Sequence, residues 1–221
     1  MNKILIAIMT SMLVSSAAIA GQIGIGATGS FAAVSADGKE VDKDGSTDSS
    51  VREATASNNV VVPSVFLEYT FDSGFTLGYD YTIGSADVNS SKITRTDDSS
   101  EAAQDGNRSA EAEIENVMAI YAELPLHAGL YAKAGYVQMD VNTLEADTVT
   151  TAGTYGNETV DGLMYGLGYK NSFGTNGFYK IEGSYTDMDS MTFNSTTTDL
   201  GNRITADLDV TKATLAIGYN F

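Results

Sequence analysis

Lys212-Ala213-Thr214-Leu215-Ala216-Ile217-Gly218-Tyr219-Asn220-Phe221 closes the chain, and its side chains repeat in twos. Ala213, Leu215, Ile217, Tyr219 and Phe221 are apolar, whereas Lys212, Thr214, Ala216, Gly218 and Asn220 between them are polar or tiny. An extended chain sends successive side chains to opposite faces, so this segment reads as a strand with one greasy face and one polar face. Which of the two faces meets water decides the fold.

The same alternation recurs along the chain in eight runs, at residues 22–34, 60–71, 75–86, 114–124, 130–141, 161–170, 178–188 and 204–221. The connections between them alternate in length. A long polar segment at 35–59 precedes the tight Asp72-Ser73-Gly74, a second long one covers 87–113, and Pro125-Leu126-His127-Ala128-Gly129 is short again. A medium loop at 142–160, a short one at 171–177 and a last loop at 189–202 complete the series. An even number of strands, with short turns at one end and long loops at the other, is the pattern of an outer-membrane barrel.

The faces point the same way. In the third run Phe75, Leu77, Tyr79, Tyr81 and Ile83 alternate with Thr76, Gly78, Asp80, Thr82 and Gly84; in the sixth, Leu163, Tyr165, Leu167 and Tyr169 alternate with Gly162, Met164, Gly166, Gly168 and Lys170. The polar face is repeatedly glycine or a lone charge. An outward polar face on a soluble sandwich has no need to be small, but the inside of a narrow closed barrel does, because side chains from eight strands converge there. The expected fold is therefore all-β: an eight-stranded antiparallel up-and-down transmembrane β-barrel over residues 21–221, with long extracellular loops and short periplasmic turns. In the last run the apolar set moves to Ile204, Ala206, Leu208 and Val210, which predicts a bulge or a membrane exit between Val210 and Lys212. The register of the fourth and fifth runs stays open.

Met1-Asn2-Lys3, an apolar middle from Ile4 to Val14 and the small-residue exit Ser15 to Ala20 have the layout of a secretory signal, with cleavage expected between Ala20 and Gly21. The apolar middle falls short of the about 20 residues that a spanning helix needs. Without Lys3 the 12 Lys+Arg become 11 against 29 Asp+Glu, a net charge of −18. So acidic a chain argues against nucleic acid as a partner. With 0 Cys, disulfides, thiolate metal sites and thiol catalysis are excluded.

With the glycine-rich face inside, Glu68, Asp80 and Glu182 point into the lumen together with Lys170, Lys180 and Lys212, and Lys133 joins them if the fifth run takes the matching parity. A charge facing lipid at mid-depth costs about 2–4 kcal/mol, whereas opposite charges in a lumen can pair. The set reads as a structural ion network filling a narrow interior; an ion pathway is the other reading. The chain has 0 Trp, so an aromatic belt must use Tyr and Phe. Tyr69, Phe71, Phe75, Tyr179, Tyr219 and Phe221 cluster at the short-turn ends, as a belt requires.

Candidate chemistry is thin. Glu40 to Asp48 carries alternating carboxylates before a glycine, like a calcium loop, but the position that should supply a bidentate Glu is Val51. The one histidine, His127, sits in a short turn on the periplasmic side, away from any outer-rim site. Asp187 and Asp189 could pair, but no base or motif accompanies them. A non-enzyme without cofactor or metal is expected.

The C-terminal Leu215-Ala216-Ile217-Gly218-Tyr219-Asn220-Phe221, the segment Leu163 to Tyr169 and the segment Phe178 to Tyr185 resemble the small outer-membrane β-barrels: the OmpA transmembrane domain, OmpX, OmpW and the opacity proteins. The resemblance implies a place in the bacterial outer membrane. It also implies recognition of Leu215, Ile217, Tyr219 and Phe221 by the barrel-assembly machinery, and a Phe221 that faces lipid. Contacts with outer-membrane lipid and lipopolysaccharide, directly or through divalent cations at the acidic loops, and a monomeric state are further expectations. Since the chain stops at the barrel, no peptidoglycan-binding domain is expected. OmpX and the opacity proteins imply a structural or surface-interaction role; OmpW implies a narrow channel or carrier for small, hydrophobic solutes.

Overall fold

The computed structural model describes residues 21–44, 48–88, 93–97, 106–147, 155–195 and 203–221. The expected signal segment, with Ala20 of the cleavage site, lies outside the described residues; so do Gly45, Ser46 and Thr47 of the calcium-like stretch. Eleven antiparallel strand segments follow: β1 (Gly21–Asp44), β2 (Asp48–Phe71), β3 (Thr76–Thr82), β4 (Ala86–Asp87), β5 (Ile93–Asp97), β6 (Gly106–Pro125), β7 (Leu130–Asp147), β8 (Glu158–Phe173), β9 (Gly177–Met188), β10 (Met191–Asn194) and β11 (Arg203–Asn220).

Eight of them form a ring in the order β1-β2-β3-β6-β7-β8-β9-β11, and β11 pairs back onto β1 from Gly24↔Asn220 to Val41↔Arg203. Closure leaves no free edge, which a sheet crossing a bilayer cannot tolerate. The short turns gather at one end. At the other end the connections are extended ladders: β1 and β2 stay paired from Gly21↔Phe71 to Asp44↔Asp48, so the segment 35–59 read as loop is a hairpin continuing past the barrel wall. Likewise β4 and β5 pair with β6, and β10 pairs with β11.

The faces segregate as the glycine argument requires. Outward Leu163, Leu167, Leu215, Ile217, Val61 and Phe221 are 60–76% exposed, while their inward neighbours Met164, Ala216 and Phe66 are buried. Water would not tolerate so much contiguous apolar surface, but lipid requires it. Large inward side chains lie over inward glycines: a Cβ at Gly26 would run into Phe66, at Gly78 into Tyr121, at Gly168 into Tyr131 and at Gly218 into Phe178. Tyr69, Phe71 and Phe75 stack together at the short-turn end, as do Tyr219 and Phe221.

One register expectation is corrected, and the register left open in the fourth and fifth runs is resolved. No bulge lies between Val210 and Lys212, since β11 keeps an unbroken register with β1 and β9 through that region. The parity stays the same, and the interior itself turns from polar to apolar: Leu208 and Val210 are buried inside the ring. The shift sits instead in β6, between Glu115 and Met118, where Asn116 takes φ 53°. Asparagine is among the few residues that accept this left-handed conformation. The bulge moves the inward set from Ile114 to Val117, Ala119, Tyr121 and Glu123, which is why simple alternation left that run and its partner β7 unfixed.

Candidate functional site

The lumen is the site, and it is built from single inward side chains on different strands. Near the short-turn end, Glu68 of β2 accepts from Lys170 of β8 at 2.5 Å and from Lys180 of β9. Strands β2 and β8 stand opposite each other in the ring, so this contact crosses the full diameter. Lys180 also donates to Glu123 of β6 at 2.6 Å. Glu182, one inward position further along β9, accepts from Lys133 of β7 at 2.8 Å and from the Tyr131 hydroxyl. Glu68, Lys180 and Glu123 are almost wholly excluded from solvent, with side-chain exposures of 0, 2 and 3%.

Aromatic rings close the gaps around these charges. Lys133 lies 3.9 Å from the Tyr121 ring centroid and Lys170 lies 4.2 Å from that of Phe178, within cation–π range. Phe178 packs against Phe66 with centroids 6.0 Å apart. Hydroxyl pairs continue the polar lining: Ser30 with Thr214 at 2.8 Å, Thr28 with Ser64 at 2.5 Å, and Ser64 donating to Asp80 at 2.7 Å. A buried ion network adds little net stability over an apolar core. Removing one partner, however, strands a buried charge and costs about 3–5 kcal/mol.

Of the seven charges expected inside, Glu68, Lys170 and Lys180 meet in one group, and Lys133 and Glu182 in a second. Asp80 and Lys212 are brought to the same polar cavity but do not touch. Lys212 has neither an ion pair nor a hydrogen bond with a described residue. Glu123 and Tyr131 were missing from the sequence reading. Glu123 could have been found by noticing that Val117, Ala119, Tyr121 and Glu123 repeat the small-and-polar alternation of the other inward faces.

Toward the outer end the lining turns apolar. Ala32, Val34, Ile114, Val137, Met139, Val141, Val160, Met188, Met191, Phe193, Leu208 and Val210 form one buried cluster. On the outer surface at this level the lipid-facing row ends in carboxylates: Asp87, Asp140, Asp161, Asp187 and Asp209 occupy the outward positions of β4, β7, β8, β9 and β11. Some are tied to neighbouring strands, as in Asn116 and Thr159 to Asp140 at 2.9 and 2.7 Å, and Tyr185 to Asp209 at 2.6 Å. Among the described residues no group of three or more His, Cys, Asp or Glu side chains is placed to hold a metal ion. His127 is exposed in the turn before β7. Leu215, Ile217 and Tyr219 lie on the outer face of β11, with Phe221 just beyond it, its amide donating to the Ile23 carbonyl of β1.

A closed ring with an apolar exterior is what a sequence-family model, described as outer membrane protein beta-barrel domain, matches over residues 4–221. The chain belongs to that family. It is accordingly a β-barrel protein of the bacterial outer membrane. Among solved structures, the outer membrane protein OprG from Pseudomonas aeruginosa is similar with a TM-score of 0.55 at 13% identity, covering 92% of this chain and 97% of that one. AlkL in lipid bilayers gives a TM-score of 0.47 at 11% identity, covering 92% of this chain and 91% of that one. Ail of Yersinia pestis, in complex with the heparin analogue sucrose octasulfate, gives 0.43 at 13% identity, covering 92% and 100%. At these identities the OprG likeness speaks to fold alone. No curated protein matches the chain.

Proposed function

We propose that the protein is a non-enzymatic barrel with a side-chain-filled lumen, which serves the envelope as a structural and surface-interacting element. The observation that supports this most strongly is the ionic group Lys170–Glu68–Lys180–Glu123, which crosses the full diameter of the ring. An eight-stranded barrel has an interior just wide enough for side chains to fill, and this one is filled by paired charges and the four rings that lie over glycines. The surroundings of the wall are outer-membrane lipid and lipopolysaccharide. Strand β11, with Leu215, Ile217, Tyr219 and Phe221 on one face, is what the assembly machinery reads. Single-channel recording of the refolded protein in a planar bilayer tests the filled lumen: silence or rare small openings are expected, and steady reproducible steps would overturn it.

A second reading, a carrier for small apolar solutes, is favoured by one observation. Above the ionic zone an apolar cavity of about 50 Å³ lies among Val34, Val60, Val62, Val137 and Met139, and it reaches the exposed link Gly84–Ser85 where β3 has already ended. Retention of a neutral solute such as hexan-1-ol near the Met139 methyl in the refolded protein supports this reading, and a complete lack of such contact removes it.

A further inference from the structure

Four carboxylates, Glu68, Asp80, Glu123 and Glu182, face four lysines, Lys133, Lys170, Lys180 and Lys212, in the polar part of the lumen. Three of these lysines are in contact with three of the carboxylates. Lys212 is left opposite Asp80, whose carboxylate accepts from Ser64 and does not reach the ammonium. Two cavities meet at that lysine. A polar one of about 30 Å³ lies below, with Asp80, Lys133, Lys180 and Glu182 in its lining; the apolar one of about 50 Å³ lies above. Lys212 is the one side chain common to both linings.

An ammonium that contacts no carboxylate among the described residues, at the floor of an apolar cavity, defines what would fit above it. The upper walls are mainly Val, Ile, Met and Ala, with Thr82, Ser85 and Thr186 as their polar members beside Lys212, so an aliphatic chain finds more contact there than water does. An amine is repelled, and an alcohol oxygen accepts from the ammonium with no full charge of its own to add to the attraction. A carboxylate brings that charge. Asp80 lines the lower cavity alone, so an anion entering from above meets Lys212 first.

We propose that the upper cavity is a binding site for short aliphatic carboxylates, with the carboxylate on Lys212 Nζ, the first methylenes among Val34, Val62, Val137 and Met139 and the end of the chain toward the exposed link Gly84–Ser85. The site rests on the carrier reading given above and names its ligand class. Its test is a titration of the refolded full barrel in lipid nanodiscs with sodium hexanoate and, separately, hexan-1-ol, followed by the Met139 methyl resonance. Hexanoate should move the resonance saturably and bind at least about tenfold tighter than hexanol, the factor that corresponds to about 1.4 kcal/mol. Lys212→Met should abolish the preference for hexanoate over hexanol. Equal affinities of the unaltered protein for the two ligands would overturn the carboxylate assignment while leaving the carrier reading standing, and this comparison needs no variant to fold. Loss of both signals would overturn both.

Discussion

The lower and upper halves of the lumen are made largely by the same strands, with the inward parity changing only at the β6 bulge, yet they follow opposite chemistry. Below, Glu68, Lys180 and Glu123 are buried and held by one another; above, Val34, Val137, Met139 and Leu208 are buried with almost nothing polar among them. In β11 the change happens within four inward positions, from Thr214 through Lys212 to Val210 and Leu208. Where the exterior of a barrel meets lipid, the interior need not be polar to be inside. It needs only to be filled, with ions where partners converge and with methyl groups where they do not.

The largest effect should come from the lower half. Glu68→Gln keeps the shape but leaves Lys170 and Lys180 without their shared carboxylate, and the urea midpoint of the refolded barrel should fall by the equivalent of about 3–5 kcal/mol. A drop under about 1 kcal/mol would mean that the ions are solvated and the two halves are not different. Leu208→Ala, in the upper half, should cost about 2–3 kcal/mol, at the low end for a buried leucine because a cavity already adjoins this zone. Next comes Glu182→Gln, which keeps one acceptor oxygen and puts a donor NH2 in place of the other, so that one of the hydrogen bonds from Lys133 and Tyr131 is lost and the other weakened; about 1.5–3 kcal/mol is expected, and an unchanged midpoint would count against its place in the network. Lys212→Met sharpens the contrast further. With no ion pair to a described residue to break, it should change stability by less than about 1 kcal/mol, where loss of Lys180 would be severe. Smallest of all, Lys39→Ala removes an exposed pair with Glu53 at 4.0 Å on the projecting hairpin and should stay within about 0.5 kcal/mol.

Much of this was legible in the sequence because a barrel wall obeys a period of two. The eight runs, the alternation of short and long connections, and the small inward residues at Gly78 and Gly168 all follow from sterics that act locally. Two things were not legible, for different physical reasons. The bulge at Asn116 is a single inserted residue, and parity counting carries past it without warning until the partner strand is known. The apolar upper lumen reads from sequence as a bulge or a membrane exit near Val210, because alternation alone cannot distinguish an inverted strand from an interior that changes its own polarity. Glu123 was lost to the first of these effects. That Lys212 stands alone could not be read at all, since pairing depends on distances across the ring rather than along the chain.

The two-part lumen is tested most directly by thiol accessibility, which the absence of native cysteine makes clean. Val60→Cys would place a thiol in the lining of the upper cavity, and Thr76→Cys would place one below the ionic group, where Thr76 is 2% exposed. Each refolded variant in lipid vesicles would be treated with a charged methanethiosulfonate from the side of the long hairpins, and labelling compared with the unfolded chain. Fast labelling at position 60 and none at position 76 are expected; labelling at both would mean that the lumen is continuous and that the ionic group does not close it.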